Sequence, residues 1–250
     1  MRRIKILSAF CFLYFTLSAQ PPPRHLERIA FDSGRNKLIM FGGASMINNQ
    51  LTYFSDVYEW DPAGWVEIKT EGPGPRNAAP LVYDPIRKST LLFGGVFENA
   101  DGFKIYFDVW SWDGKEWKLI NSKCPVKEPM AVYDTGNKRV LVYGEVTNKR
   151  SLTNEGPREF ELWEFKDDSW KKLSTDGPDV HSTLSFNESR NALIITSLED
   201  DPVTVWEWTN EEWKRVSCTS NCPEKRSREA VAYHPGLKAT CMFGGRDSER

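Results

Sequence analysis

The chain is poor in histidine, carries no surplus of basic charge, and has no long apolar run beyond its first twenty residues. Its three histidines, His25, His181 and His234, stand apart, with no pair at metal-ligand spacing. No Gly-x-Ser-x-Gly elbow, phosphate-cradling glycine loop or catalytic cysteine context is present. The sequence therefore offers no direct signature of a hydrolase, a nucleotide enzyme or a metalloenzyme, and no cofactor is expected. Lys+Arg number 33 against 35 Asp+Glu, which lacks the basic footprint of a nucleic-acid binder. Helical periodicity is missing as well.

The one apolar run follows Arg2, Arg3 and Lys5 and extends from Ile6 to Ala19. At about 14 residues it falls short of the roughly 20 that span a bilayer, and it has the layout of a secretory signal peptide. Leu17-Ser18-Ala19 offers a cleavage site, and Gln20 stands where a lipid-anchored precursor would need cysteine. The expected product, residues 20–250, is secreted or periplasmic and has no membrane span once the signal is removed. Cys11 leaves with the signal. Of the cysteines that remain, Cys218 and Cys222 bracket three residues of a polar loop and are expected to form a local disulfide in an oxidising compartment. Cys241, inside an apolar run, reads as a buried free thiol.

What the sequence has in abundance is repetition. Asp56 to Trp65 (DVYEWDPAGW), Asp108 to Trp117 (DVWSWDGKEW), Glu161 to Trp170 (ELWEFKDDSW) and Thr204 to Trp213 (TVWEWTNEEW) are versions of one unit. Their final tryptophans are 52, 53 and 43 residues apart. A second landmark keeps the same period: a short apolar strand closed by glycines at Phe41-Gly42-Gly43, Phe93-Gly94-Gly95, Tyr143-Gly144 and Phe243-Gly244-Gly245. Paired glycines suit places where a side chain would crowd a neighbouring backbone or where φ is positive. Upstream lies another strand ending in Asp32, Asp84, Asp134, Asn187 or His234, which opens a tight turn completed by Gly34, Pro85, Gly136 or Pro235. Each repeat thus predicts two hairpins, four strands in all, which is the content of a propeller blade.

The glycine doublet after an apolar strand, the aromatic strand about a dozen residues later and the Trp that opens the last strand together resemble kelch repeats. The Tyr83-Asp84 turn, Arg87-Lys88, Phe93-Gly94-Gly95 and Trp112-Asp113-Gly114 are similar to repeats of exported bacterial kelch proteins. The resemblance runs from Arg24 to Gly245. It implies an all-β, kelch-type β-propeller of four-stranded antiparallel blades, four full blades and an incomplete fifth, at about 24–72, 73–122, 123–175, 176–217 and 222–250. The fifth repeat has only its first hairpin. The expectation is a chain truncated at its C-terminus or an open array, with self-association through the incomplete blade.

Two groups of residues are candidates for binding. Arg24, Arg76 and Arg226 each precede by seven residues the aromatic that ends the first strand, and Lys127 lies one step off that register. The resemblance places this position at the mouth of the central channel, where converging guanidinium groups would hold a planar anion; alternatively each Arg satisfies backbone carbonyls between blades. Tyr53, Phe97, Phe103 and Tyr106 lie in the connections between second and third strands, which the resemblance places on the binding face. There they either contact a sugar or a protein or fold their loops back onto the blade. The repeated tryptophans read as packing between blades. The function expected is a non-catalytic module that binds a protein or a carbohydrate ligand. The alternatives are an exported sugar-processing enzyme, akin to kelch sialic-acid isomerases or to galactose oxidase-like carbohydrate oxidases, and a truncated remnant.

Overall fold

A computed structural model describes residues 20–99, 102–146, 158–179, 183–197, 203–216 and 226–247. The expected signal segment, residues 1–19, and the expected Cys218–Cys222 disulfide lie outside the described residues. Every regular element among the described residues is a strand, and no helix of these residues is long and apolar enough to cross a membrane. Blade 1 joins β1 (Arg28–Asp32), β2 (Lys37–Phe41), β5 (Val57–Asp61) and β6 (Gly64–Ile68), with β3 (Ala44–Ile47) and β4 (Gln50–Tyr53) as a separate ribbon. Blade 2 repeats the plan with β7 (Leu81–Asp84), β8 (Ser89–Phe93), β11 (Val109–Trp112) and β12 (Trp117–Asn121), plus the ribbon β9 (Val96–Asn99) and β10 (Gly102–Ile105). Blade 3 is β13 (Val126–Asp134), β14 (Arg139–Val146), β15 (Phe160–Lys166) and β16 (Ser169–Ser174). Blade 4 is β17 (Thr183–Asn187), β18 (Ala192–Ser197), β19 (Thr204–Thr209) and β20 (Glu212–Val216). The pair β21 (Arg226–His234) and β22 (Ala239–Asp247) forms a two-stranded fifth sheet. All pairings are antiparallel, and first strands are neighbours in the succession β1, β7, β13, β17, β21. The fold is that of a β-propeller, with four full four-stranded blades.

Turn chemistry explains the hairpins. Asp32 Oδ1 accepts from the backbone N–H of Gly34 and Arg35, both at 3.0 Å, and Asp84 Oδ1 accepts from Ile86 and Arg87 at 2.9 and 3.1 Å. Asp134, Asn187 and the Nδ1 of His234 do the same for Asn137, Arg190 and Leu237. The left-handed residue of these turns is neither glycine nor proline. It is Asn36, Lys88, Lys138, Asn191 and Lys238, with φ between 49° and 58°. The connections read as loops in blades 1 and 2 are themselves ribbons. Asn48 and Asn49, at φ 51° and 61°, make the two-residue turn that joins β3 to β4, as Asp167-Asp168 and Asn210-Glu211 do for β15–β16 and β19–β20.

The blades meet through a repeated aromatic contact. The Trp that opens the fourth strand of one blade packs against the aromatic residue of the second strand of the blade before: Trp117 on Phe41 at 5.3 Å, Trp170 on Phe93 at 6.1 Å, Trp213 on Tyr143 at 5.5 Å between centroids. Trp112 is fully buried at the first of these joints and donates Nε1–H to Glu59 Oε1 at 3.0 Å. Tyr83 places its hydroxyl over Gly34 and Asp32 of blade 1, and that burial pushes the phenol up. Each joint therefore buries aromatic area, and at the first and third an indole N–H finds an acceptor, Trp112 on Glu59 and Trp213 on Ser174. Trp117→Ala is expected to lower stability in urea unfolding by about 3–5 kcal/mol. Trp65→Ala, at the matching position of blade 1, where no aromatic ring among the described residues pairs with it, is expected to cost clearly less.

Cys124 and Cys241 are free thiols. Cys124 is buried, and that burial pushes its thiol up to about 12. Cys241 is half-buried, not enclosed as its apolar run suggested; among the described residues β22 is paired on one edge only, with β21. Native protein at pH 7 should take up a maleimide at Cys241 and not at Cys124, read by peptide mass. An unfolded thiol ionises near 8.5. Cys124 therefore favours the folded state fully below about pH 8.5 and loses that contribution as pH climbs toward 12. Cys124→Ala should flatten the alkaline limb of a stability-versus-pH curve.

Candidate binding face

Antiparallel order puts the turns between first and second and between third and fourth strands at one end of each blade. The connections between second and third strands, and the links from blade to blade, share the other end. Arg24 and Arg76 lie at that second end. Arg24 donates to Asp56 at 2.5 and 2.9 Å, to Gly42 O at 2.9 Å and to Pro22 O at 3.2 Å. Arg76 repeats the set with Asp108 at 2.6 and 3.1 Å, Gly94 O at 2.8 Å and Gly74 O at 3.0 Å. An aromatic ring covers each guanidinium, Phe54 at 4.0 Å and Tyr106 at 3.7 Å. Only 2% of the Arg24 side chain and 1% of the Arg76 side chain is exposed. Each Arg is thus engaged inside its own blade, with bonds to backbone carbonyls and to a carboxylate 32 residues further on.

The remaining repeats modify this clasp. Lys127 pairs with Glu145 at 2.9 Å, where blades 1 and 2 have the second glycine of the doublet. Glu161, the counterpart of Asp108, takes the Trp163 Nε1–H at 2.8 Å and Lys172 Nζ at 2.6 Å. In blade 4, Asp179 holds the arginine position and pairs with Arg158 at 2.8 Å. Arg226 begins β21, in register with Asp247. Arg24, Arg76 and Lys127 are thus each paired with a carboxylate of their own.

The aromatic candidates divide. Tyr106 is a lid on Arg76, with Lys104 Nζ 4.4 Å from the same ring and its hydroxyl donating to Pro75 O at 3.4 Å. Tyr53 and Phe97 meet edge to face at 5.1 Å and tie the two ribbons together. Burial, with the nearby Glu98 carboxylate, pushes the Tyr53 hydroxyl up. Phe103 is exposed. Sequence reasoning puts the connection Met46 to Tyr53 on this face but singles out its aromatic residues; Met46 and Leu51, directly opposite each other on β3–β4, and Ile47 are exposed too. Their signal was the Asn48-Asn49 pair, which marks a protruding hairpin and not an irregular loop.

The opposite end has a cavity of about 440 Å³ between blades 2 and 3, lined by Asp84, Ile86, Arg87, Lys138, Arg139 and the β15–β16 turn. Its guanidinium groups are paired, Arg87 with Asp168 at 2.9 Å and Arg139 with Asp134 and Glu164 at 2.8 and 2.6 Å. Among the described residues no group of His, Cys, Asp and Glu could hold a metal ion.

Searches against known proteins agree with the fold. The solved structure of YjhT superposes with a TM-score of 0.61 at 15% identity, over 90% of this chain and 78% of that one. A chain of a nidogen/laminin complex superposes with a TM-score of 0.55 at 12% identity, over 87% of this chain and 72% of the other. Identities this low establish the fold alone. No family model matches the chain. Dynein regulatory complex subunit 7 of Chlamydomonas reinhardtii is 33% identical over 78 residues, 30% of this chain and 6% of that protein, so the chain spans only a small part of that relative's length.

Removing the carboxylate of a clasp strands a buried guanidinium. Asp108→Ala is expected to destabilise the protein by about 3 kcal/mol. Glu212→Ala, whose carboxylate makes an exposed 3.6 Å pair with Lys214, should change stability by less than about 0.5 kcal/mol in the same urea titration.

Proposed function

We propose that the chain is an exported kelch-type propeller that works as a non-catalytic binding module, taking a protein partner on the face that carries the β3–β4 and β9–β10 ribbons. The observation that carries this reading is the exposure of Met46, Ile47, Leu51 and Phe103 on two ribbons clamped together by the Tyr53–Phe97 contact. Apolar and aromatic side chains held on a rigid support supply binding energy without a large ordering cost. A sugar platform would call for flat rings flanked by free polar groups, and here aliphatic side chains dominate. The arginines contribute to the support, since their donors are engaged within the blades.

The test compares residues 20–250 with a Met46→Ser, Leu51→Ser, Phe103→Ser variant and with a Lys138→Ser, Lys166→Ser variant altered at the opposite end. Proteins from the source's extracytoplasmic fraction that the wild type captures should be lost by at least tenfold from the ribbon variant and kept by the lysine variant. Equal loss from both variants would sink the proposed face. Saturable binding to a glycan array that survives the ribbon substitutions would replace the protein reading with a carbohydrate one.

A further inference from the structure

At the turn end of the molecule, blade 2 departs from its neighbours. In blade 1 Arg35 folds back onto its own sheet, Nε donating to Asp32 and Nη1 to Glu59, both at 2.6 Å. Blade 4 repeats the second bond, Arg190 to Glu207 at 2.7 Å. The residue of blade 2 that matches Glu59 and Glu207 is Ser111, whose hydroxyl donates to Ser89 at 2.8 Å. Arg87, the counterpart of Arg35, therefore has no carboxylate on its third strand, and its Nη2 reaches Asp168 on the β15–β16 turn of blade 3 at 2.9 Å. The cavity of about 440 Å³ lies there. At the preceding joint the same place is filled: the β11–β12 turn comes so close that a side chain on Gly114 would collide with Arg35, and the Tyr83 hydroxyl sits over Gly34. Between blades 2 and 3, Ile86 stands where blade 1 has Gly34, and two buried donors have no hydrogen-bond partner, the Tyr133 hydroxyl and Arg87 Nε. Asp84 Oδ2 is 3.9 Å from that Nε. Lys138 and Lys166 line the cavity, and among the described residues neither amine makes an ion pair or hydrogen bond. Asp167 is the one lining carboxylate in the same state, so two free amines and one incompletely bonded guanidinium face a single free carboxylate.

We infer that the cleft between blades 2 and 3 binds a small oxyanion, a carboxylate or a phosphate carried on an apolar body, with Arg87, Lys138 and Lys166 holding the charge. Ile86, 65% exposed on the cavity wall, meets the apolar part. The Asp168 carboxylate occupies the guanidinium until the ligand arrives. That ion pair is accessible to water, 24% of the Arg87 side chain and 48% of the Asp168 side chain being exposed, so it contributes little and is readily exchanged. An incoming oxyanion takes the same charge-assisted bond and adds the two amines, which Asp168 leaves unbound. The volume falls within the roughly 300–1,000 Å³ of small-molecule sites. The cleft lies at the end opposite the ribbons and does not depend on the function proposed above.

Titration of benzoate and of phenyl phosphate into residues 20–250, followed by amide NMR with benzamide as the neutral control, tests it. At least one anion should give saturable shifts at Ile86, Arg87, Lys138 and Asp168, and the tighter of the two identifies the head group. Arg87→Met should weaken binding about tenfold or more. Lys138→Ser with Lys166→Ser should weaken it about threefold or more. Asp168→Asn should instead bind about two- to fivefold more tightly, because the internal competitor is gone. Asparagine also accepts the left-handed conformation that Asp168 has at φ 59°. Opposite signs from the two halves of one ion pair separate competition from a general loss of structure, which would weaken binding in both. Should Arg87→Met fail to show the wild-type thermal transition, Asp168→Asn and the lysine variant decide. Absence of saturable shifts with both anions, equal shifts with benzamide, or weaker binding by Asp168→Asn overturns the inference.

Discussion

The arrangement depends on how one guanidinium is accommodated. Arg76 has its backbone in one blade junction and its side chain in the next blade. Its carbonyl accepts from Gly43 N–H at 2.9 Å and its N–H donates to Phe54 O at 3.1 Å, both in blade 1, while its side chain binds Gly94 O and Asp108 in blade 2. A buried cation is costly unless every donor finds an acceptor, and here the acceptors come from two strands of the same sheet and from the link that precedes it. The glycines belong to this unit. A Cβ on Gly42 would stand 2.5 Å from Arg76 O, and one on Gly94 would stand 2.8 Å from Tyr106 O. Gly42 and Gly94 also have φ of 67° and 52°. The doublet is therefore glycine because backbone carbonyls close over it, Arg76 O from the next blade at Gly42 and Tyr106 O of the same blade at Gly94, and the arginine can be buried because the doublet's own carbonyl accepts from it.

That dependence explains which repeats vary together. Blade 3 has Glu145 in place of the second glycine and Lys127 in place of arginine, and the two pair with each other. Its first two strands also continue further, β13 pairing with β14 across a bulge as far as Val126 and Val146. A side chain at the doublet is tolerated there because a cation of opposite charge faces it and the strands extend over the junction. Blade 4 lacks the doublet and the arginine altogether, and an ion pair between Arg158 and Asp179 spans the same region. The clasp is replaced as a set and not residue by residue.

Much of the fold was legible because it rests on local chemistry. Strand alternation, aspartate-led turns and tryptophans at a fixed interval each report on a few neighbouring residues, and together they imply four strands per blade and packing between blades. The parts that were not legible depend on where distant residues meet. Arg24 with Asp56 and Arg76 with Asp108 keep the same separation of 32 residues, yet only the sheet order shows that this spacing brings first-strand leads onto third strands. The same holds for the partners of the arginines: a shared register told of repetition, and only the sheet order shows which carboxylate and which carbonyl each guanidinium meets. The turn glycines misled for another reason, since asparagine and lysine accept the left-handed conformation when the turn aspartate already binds the preceding N–H groups.

Repetition also separates the two surfaces of the molecule by physical origin. Side chains on the blade faces serve packing wherever a neighbouring blade exists, so their exposure at Phe31, Trp60 and Phe243 reflects position in the array and not a distinct choice of residue. Met46, Leu51 and Phe103 differ in kind. They stand on ribbons that form no part of the blade sheets, so packing between blades does not require them to be apolar. An apolar residue kept in water without a packing role costs solubility and contributes nothing to the fold, and a contact with another molecule supplies the compensating gain. The end faces are accounted for by the repeat and the ribbons are not, which is why the ribbons carry the functional reading.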